Sequence, residues 1–305
     1  MTLLVILIAL CAMPLLAEAT RMSVAKKRQQ GVPGELVDLP KGTTHIQRDG
    51  PEDGPVVVLV HGLTTPAYLF AGVVPRLVAA GYRVIRYDLW GRGFSDCPIG
   101  RQDGDYFLDQ LNAVLDHEEV AGPFVLVGYS MGGAIAALTA AADPGEIAAL
   151  ALVAPTGLGP ANVPKLTRWP ILGDWVMWVL GGVLLRRRLK GDGFKASVVT
   201  DLPKLEARET RTRGYLPGVL SSMRQLVTRD MAPEHTRIAA AGAPVLAIWG
   251  EADRSVPLSS MARLAEVNGQ AWHHQVDGAD HGLIHNRPGE VGAEILRFLK
   301  ARSGR

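Results

Sequence analysis

The stretch FVLVGYSMGGAIAALTAAA, residues 124–142, decides how this chain folds. Its continuous apolar run, Phe124–Val127, predicts a buried strand, and the alanine-rich segment that follows predicts a helix. The turn between them reads Gly-x-Ser-x-Gly, with Ser130 at its centre. Flanking glycines carry no side chain to collide at such a sharp turn. We therefore expect the Ser130 hydroxyl at the carboxyl edge of a sheet, next to the free N–H groups of a helix N-terminus.

Further apolar runs of strand length lie on both sides of this stretch. They are Val56–Val60, Val84–Tyr87, Ala149–Val153 and Val245–Trp249. Continuous runs, rather than alternating ones, are typical of parallel strands covered on both faces. Between them lie helical patterns such as 105–120, in which apolar residues recur every three or four positions. The alternation predicts an α/β protein, with a mostly parallel central sheet and helices on both faces.

The alternation of strands and helices stops between residues 156 and 239. This segment contains Trp169, an apolar run from Trp175 to Leu185 that includes Trp178, and the basic cluster Arg186–Arg188. We interpret it as a helical lid inserted over the sheet. The predicted organisation is a signal peptide or membrane anchor (1–19), a linker (20–34), the first part of the core (35–155), the lid (156–239) and the second part of the core (240–305).

The N-terminus carries an apolar segment, Leu3–Leu16, which is shorter than the roughly 20 residues that comfortably span a bilayer. Ala17-Glu18-Ala19 resembles a signal-peptidase site. However, no basic residue precedes the segment and four follow it, Arg21, Lys26, Lys27 and Arg28, which favours retention of this flank in the cytoplasm. A cleaved signal and a retained anchor both stay open. We expect a membrane-associated or exported protein, with possible membrane association through residues 3–17.

A serine hydroxyl needs a general base to become a nucleophile, and the base needs an orienting acid. Asp253 directly follows the predicted strand Val245–Trp249, and His281 follows an apolar run that ends at Val276. The carboxyl ends of parallel strands share one edge of a sheet, where ligands bind. We therefore predict Ser130, Asp253 and His281 as a catalytic triad.

Other acids and histidines are weaker candidates for the same roles. Glu251 is the nearest rival to Asp253, whereas Asp277 and Asp280 stand too close to His281 in the sequence. Adjacent His273 and His274 lie within an apparent strand, so at least one should point away from the site. We expect His285 to be a surface residue or to lie behind the site. His45 and His235 have no supporting context.

A second signal, His61-Gly62-Leu63, directly follows the strand Val56–Val60. We expect the backbone N–H groups of Leu63 and Met131 to form an oxyanion hole, which is worth roughly 3–4 kcal/mol per donor in comparable enzymes. His61 itself is interpreted as structural, with its ring hydrogen-bonded to the loop.

These landmarks together resemble the lid-bearing α/β-hydrolase superfamily, which includes esterases, monoacylglycerol-type lipases, carbon–carbon bond hydrolases and haloperoxidases that use no cofactor. The matching segments are HGLTTP (61–66), RYDLWGRGFSD (86–96), GYSMGG (128–133), WGEADRSVP (249–257) and GADHG (278–282). The resemblance implies a serine hydrolase. It also implies that Asp88, Gly91, Arg92, Gly93 and Ser95 shape a turn beside the site.

Departures from the family patterns bear on the chemistry. Epoxide and haloalkane hydrolases of this superfamily carry Asp where this chain has Ser130, so both activities are disfavoured. Ring-cleavage carbon–carbon hydrolases typically carry HGGGPG, which is HGLTTP here. The resemblance therefore favours cleavage of carboxylic esters. Carbon–carbon hydrolysis, a peracid-forming or acyl-transfer variant, and a non-catalytic protein that binds hydrophobic ligands stay open as alternatives.

The tryptophan-rich lid is the only clue to the substrate. It suggests an apolar ester or lipid, with Tyr129, Trp175 and Trp178 as candidate contacts, although these tryptophans could equally form the core of the lid. With 48% hydrophobic and 20% charged residues, the composition is that of a globular protein. A formal net charge of +2 gives no support for nucleic-acid binding. Two cysteines, Cys11 and Cys97, and scattered histidines predict neither a disulfide framework nor a metal site, and no dinucleotide-binding motif or other cofactor is expected.

Overall fold

The computed structural model of the chain describes residues 1–159, 163–189 and 196–303. A sheet of eight strands forms its centre. The strands are β1 (Glu35–Leu39), β2 (Gly42–Asp49), β3 (Val56–Val60), β4 (Arg83–Tyr87), β5 (Phe124–Tyr129), β6 (Ile147–Val153), β7 (Val245–Gly250) and β8 (Trp272–Val276).

The strands follow the spatial order β1-β2-β4-β3-β5-β6-β7-β8. The pairs β1–β2 and β2–β4 are antiparallel, and every pair from β4 to β8 is parallel. From β3 the chain passes to β4, which pairs with one edge of β3, and then to β5, which pairs with the other edge. The carboxyl ends of β3 and β5 consequently meet at the middle of one edge, where the order of the strands reverses.

Helices and short turns surround the sheet. The helices are α1 (Thr2–Ala19), α2 (Val24–Arg28), α3 (Val74–Ala79), α4 (Gly104–His117), α5 (Met131–Ala142), α6 (Leu172–Arg188), α7 (Leu202–Glu209), α8 (Tyr215–Ser222), α9 (Ala232–Ala240), α10 (Ser259–Val267), α11 (Leu283–Asn286) and α12 (Pro288–Ser303). Shorter turns lie at Ala67–Gly72, Pro144–Glu146 and Lys165–Arg168, and a π-helical turn lies at Met223–Val227.

Both faces of the parallel strands are buried. In β3, Val58 and Val60 pack into a core with α4, α5 and α9, whereas Val57 and Leu59 pack into a second core with α3 and α12. Each fully buried side chain of this size stabilises the fold by roughly 1.5–3 kcal/mol. This double burial explains the continuous apolar runs, and the predicted α/β class with a mostly parallel sheet is confirmed.

The described part of the lid is helical and has a small core of its own. Met177 on α6 packs with Tyr215, Leu216 and Val219 of α8, and Trp178 packs against the same cluster. No strand forms between residues 156 and 239 wherever the structure describes them. The predicted lid is thus found as helices α6 to α8 over the carboxyl edge of the sheet, whereas α9, which the predicted bounds also included, packs Ile238 into the core with α5.

The structure differs from the sequence-based expectation before β3. The sequence reasoning identified no strands in 35–49, where β1 and β2 form an antiparallel edge. Their sequences, ELVDL and GTTHIQRD, contain no continuous apolar run of strand length. Residues 20–34, expected to be a linker, form the helix α2 and bury Lys27 completely. Predicted strand bounds fall within two residues of those observed, as helix and strand ends usually do.

Candidate active site

Ser130 occupies the sharp turn between β5 and α5. Its backbone angles, φ 53° and ψ −118°, lie in a strained region for a residue with a side chain. A Cβ at Gly128 would lie 2.3 Å from the Gly132 carbonyl oxygen, and a Cβ at Gly132 would lie 2.1 Å from the Val60 carbonyl oxygen. The turn therefore requires glycine at both flanking positions, as the sequence predicted.

The structure brings the three predicted triad residues together. His281 Nε2 lies 2.9 Å from Ser130 Oγ, and His281 Nδ1 lies 2.7 Å from Asp253 Oδ2. Asp253 lies on the loop after β7 and His281 on the loop after β8. With Nδ1–H donating to the carboxylate, Nε2 is the acceptor for the Ser130 hydroxyl proton. The three side chains thus have the geometry of an activated nucleophile.

The carboxylate of Asp253 is buried and fully hydrogen-bonded. Its Oδ1 accepts bonds from the Ser255 N–H (2.7 Å) and the Val256 N–H (2.9 Å), and its side chain is fully shielded from solvent. Hydrogen bonds to the ionised form stabilise the negative charge next to His281. The same contacts hold the acid in one rotamer.

The rival residues have other roles. Glu251 accepts a hydrogen bond from the Gly278 N–H at 2.8 Å, and Asp280 accepts bonds from the Gly282 N–H and from Asn286. His273 contacts Trp249 and His274 contacts Glu290, so neighbouring histidines of β8 point to opposite sides of the strand.

Two further histidines are buried. His285 is only 5% exposed, which excludes the surface alternative and fits a position behind the site, and burial lowers its pKa to about 4. His45 was given no role, yet on β2 its Nδ1 lies 2.6 Å from the Asp88 carboxylate. Burial opposes ionisation of Asp88, but the bond to His45 lowers the pKa of this carboxyl to about 2. Of this pair, only Asp88 lies in a recognised segment, RYDLWGRGFSD (86–96).

The loop after β3 lies against Ser130. A Cβ at Gly62 would lie 3.2 Å from the Ser130 Cβ, and Leu63 lines the adjoining cavity. Neither the Leu63 N–H nor the Met131 N–H donates to a backbone carbonyl among the described residues. These two donors, on opposite sides of Ser130, are therefore available to a substrate oxygen, as expected for an oxyanion hole.

Two buried side chains hold that loop in place. The Leu89 N–H donates to His61 Nε2 at 2.8 Å, and His61 Nδ1–H donates to the Gly62 carbonyl. Burial lowers the pKa of His61 to about 4, so its ring is neutral and structural. Arg92 Nε donates to the Leu63 carbonyl at 3.0 Å, and its Nη2 donates to Ser222 of α8. Sequence reasoning placed Arg92 in a nearby turn but missed this link from lid to loop.

A cavity of about 160 Å³ adjoins the Ser130 hydroxyl. Core residues around it include Leu63, Tyr129, Pro155 and Val256, and the lid contributes Val163, Leu185, Met223 and Val227. A cavity of this size accepts a group about as large as benzene. Its apolar side chains, set among the hydroxyls of Thr64, Thr156 and Ser260, suit a short hydrocarbon group next to the reacting bond.

The expected substrate contacts have different outcomes. Tyr129 lines the cavity, and its hydroxyl donates to the His281 carbonyl at 2.8 Å, so it also positions the catalytic loop. Trp175 and Trp178 do not line the cavity, and the expectation that they contact substrate is not supported. Trp175 contacts α1 instead, and Trp178 packs with the lid core. The residue of α6 that faces the cavity is Leu185.

No group of three or more His, Cys, Asp or Glu side chains is arranged to hold a metal ion within residues 1–159, 163–189 and 196–303. The arrangement around Ser130 is instead suited to nucleophilic attack on an electrophilic carbon, with proton transfer through His281.

Residues 51–288 match the model of the Hydrolase_4 family, which is described as serine aminopeptidase, S33. This range covers the triad residues and the loop that carries Leu63.

Curated relatives of similar length have several chemistries. A haloalkane dehalogenase from Mycobacterium marinum is 34% identical over 86% of this chain and 90% of its own. A 2-hydroxy-6-oxononadienedioate/2-hydroxy-6-oxononatrienedioate hydrolase from Paraburkholderia xenovorans is 30% identical over 87% and 94%. A pimeloyl-[acyl-carrier protein] methyl ester esterase from Xanthomonas axonopodis pv. citri is 28% identical over 81% and 95%. The names of these three relatives differ in the bond that is cleaved.

The fold has close counterparts among solved structures. An enol-lactonase from Burkholderia xenovorans superposes with a TM-score of 0.72 at 22% identity, over 87% of this chain and 100% of that one. At this identity the likeness shows the α/β-hydrolase fold alone.

Proposed function

This chain belongs to the Hydrolase_4 family, and we propose that within it the protein is a serine hydrolase of carboxylic esters with an apolar acyl or alcohol group. The observation that carries the proposal is the pair of contacts of His281, 2.9 Å to Ser130 Oγ and 2.7 Å to Asp253 Oδ2. Such a relay makes a serine nucleophilic at neutral pH.

The proposed reaction proceeds through an acyl-enzyme. Ser130 Oγ attacks the ester carbonyl carbon while His281 Nε2 takes the hydroxyl proton. The N–H groups of Leu63 and Met131 bind the negative oxygen that develops, and Asp253 stabilises the imidazolium. His281 then passes its proton to the leaving alkoxide, which departs as an alcohol. A water molecule, activated by the same nitrogen, releases the acid and restores Ser130.

The preference for an ester rests on the nucleophile and on the cavity. Haloalkane hydrolases that resemble this chain carry an aspartate as the nucleophile at the position of Ser130. This chain has serine there, which disfavours dehalogenation. The apolar side chains of Leu63, Val163 and Leu185 around Ser130 favour a hydrocarbon group over a charged one. The Xanthomonas relative, named a methyl ester esterase, is consistent with this choice.

Turnover of p-nitrophenyl esters from acetate to palmitate tests the proposal. We expect the purified full chain to hydrolyse the shorter esters best, because the 160 Å³ cavity holds only a short group. Ser130→Ala should lower kcat by about 10⁶-fold while leaving the melting temperature unchanged. Activity that survives in Ser130→Ala would show that another group carries the reaction. A leucine p-nitroanilide, tested in parallel, reports on the amide cleavage that the family description names.

Carbon–carbon bond hydrolysis is the second candidate, favoured by the 30% identity to the Paraburkholderia hydrolase. The same triad would then attack a ketone carbon of a vinylogous diketone. Cleavage of such a compound at a much higher kcat/KM than any ester in the series would assign this activity instead.

The proposal also includes membrane attachment through α1. Thr2–Ala19 has a mean hydropathy of 2.3 and no buried residue, and it is the one helix among the described residues that is long and apolar enough to cross a bilayer. Extraction of the full chain from membranes by detergent, but not by carbonate or high salt, would support an integral anchor.

A further inference from the structure

Pro14 leaves a gap in the hydrogen bonding of α1 that the lid fills. Proline has no N–H, so the carbonyl of Leu10, four residues earlier, loses its partner within the helix. The indole Nε1 of Trp175, on α6, donates to this carbonyl at 2.8 Å. An unpaired carbonyl is costly in lipid, where no water can replace the lost bond. The contact therefore suits a helix that stays with the protein in an apolar medium.

The chain that follows α1 is also bound to the lid. Arg213 Nη2 donates to the Ala19 carbonyl at 2.7 Å, and the Gly214 N–H donates to Glu18 at 2.9 Å. Met22 pairs with the backbone of residues 211 and 213. Contacts at both Leu10 and Ala19 define the direction of α1 relative to α6.

The outer face of α6 is apolar along its length. Leu172, Leu180, Val183 and Leu184 are 43–48% exposed and recur at helical spacing. Trp169 and Ile171, in the turn before α6, are 63% and 84% exposed. We call these six side chains the lid stripe; of the same helix, Met177 is instead 6% exposed and packs in the lid core, and Leu185 lines the cavity.

Exposed basic side chains flank the lid stripe in the sequence. Lys165, Arg168 and Arg187 are exposed, and the nearby acid Asp174 is paired with Arg224. An apolar face with a basic border is typical of helices that lie in a membrane interface and contact anionic headgroups.

From these observations we infer that the lid stripe docks on the bilayer beside α1, so that the cavity takes its ester from the membrane. The bilayer is the occupant that the stripe fits, because α6 is held against α1, a helix long and apolar enough to cross a bilayer. The choice of substrate, a lipid ester, rests on the proposed function, whereas the docking does not. The reacting bond and the first carbons would enter the cavity through the face of α6 that carries Leu185, while the remaining chain stays in the bilayer.

An environment-sensitive fluorophore tests the docking without any turnover. A nitrobenzoxadiazole label is placed at Leu180→Cys in the full chain, with Cys11→Ser and Cys97→Ser to remove the native thiols. The matched control carries the label at Glu146→Cys, which is exposed at the amino end of β6, on the opposite edge of the sheet. Both proteins are reconstituted in nanodiscs of phosphatidylcholine with a minority of phosphatidylglycerol.

We expect a blue shift and quenching by nitroxide-labelled lipid at position 180, and neither at position 146. Equal behaviour of the two labels would overturn the proposal. So would a mature chain that begins at Thr20, as intact mass shows, because α1 would then be absent. A blue shift at position 180 that occurs in detergent and grows with protein concentration would assign the stripe to a second copy of this chain.

A second experiment tests whether the substrate comes from the membrane. It compares the double variant Leu180→Asp with Val183→Asp against Ala121→Asp, a control at an exposed position before β5. Hydrolysis of a monoacylglycerol presented in vesicles should fall about tenfold in the stripe variant, since charge opposes interfacial burial. Hydrolysis of p-nitrophenyl acetate should not change in either variant. An equal loss on both esters would overturn the membrane route. Absence of all esterase activity in the wild type would reject the proposed function and leave the label result valid.

Discussion

At position 253, one carboxylate performs two tasks at once. Its Oδ1 holds the Asp253–Val256 turn by accepting two backbone N–H bonds, and its Oδ2 orients His281. Because these two bonds fix the rotamer of Asp253, its Oδ2 stays within hydrogen-bonding distance of His281 Nδ1. The nearby Glu251, which accepts a bond from Gly278, cannot replace it.

Asp253→Asn should separate these tasks. The amide oxygen can still accept the turn bonds, but its NH₂ then faces Nδ1 of His281 and favours the tautomer with the proton on Nε2. That nitrogen cannot accept the Ser130 proton, so we expect kcat to fall by about 10⁴-fold with little change in melting temperature. Steady-state kinetics on p-nitrophenyl butyrate measure this, with Glu251→Gln as the control. A comparable loss in the control, or a small loss in Asp253→Asn, would contradict the assignment of the acid.

At the scale of elements, the short helix α2 shows how a basic segment becomes part of the core. Ser23 caps it by accepting from the Lys26 N–H, and the helix then directs Lys27 inward. Lys27 Nζ donates to Glu209 Oε1 of α7 at 2.5 Å and to the Gly93 carbonyl at 2.6 Å. Glu209 also accepts from the Gly93 N–H. This buried pair joins α2, the lid and the turn after β4.

Lys27→Met should destabilise the fold by about 3 kcal/mol, because it leaves the Glu209 charge buried without its partner. The double variant Lys27→Met with Glu209→Gln should recover most of this loss, since no uncompensated charge remains. Urea unfolding measures both, with the exposed Lys26→Met as the control. Additive losses in the double variant would show that the two side chains act independently.

Across the whole molecule, the lid and the core meet through a carboxyl group that burial holds neutral. Glu206 on α7 is 5% exposed, and its side chain bonds to Thr65, which lines the cavity. Burial, and to a lesser degree the charge of Glu209, raise the pKa of Glu206 to about 8. The folded protein therefore keeps a proton on Glu206 that the unfolded chain releases near its usual value of 4.5.

This difference predicts how stability depends on pH. Between about pH 4.5 and 8 the native state binds more protons at this group than the unfolded state, so its contribution lowers stability as the pH rises. Glu206→Gln should remove this loss and stabilise the protein by about 4 kcal/mol near pH 8, but hardly at all near pH 4.5. Melting temperatures across this range measure the effect, with exposed Glu52→Gln as the control. A constant difference between wild type and Glu206→Gln at every pH would contradict it.

The sequence by itself determined the features whose signals are local. The run Phe124–Val127, the glycines around Ser130 and the alanine-rich helix each follow from the residues themselves. Strand, turn and helix therefore appeared in the right order. The positions of Asp253 and His281 after their strands followed from the same logic, because parallel strands bring their carboxyl ends to one edge.

Only the tertiary structure decided the features that depend on distant partners. The polar strands β1 and β2 form because neighbouring backbones supply their hydrogen bonds, which no apolar pattern announces. Lys27 is buried because Glu209, far along the chain, neutralises it. Trp175 turns to α1, and not to the cavity, because the rotation of α6 is set by the packing of Met177 against α8. Side-chain direction is a property of packed elements, so residue type and spacing alone do not specify it.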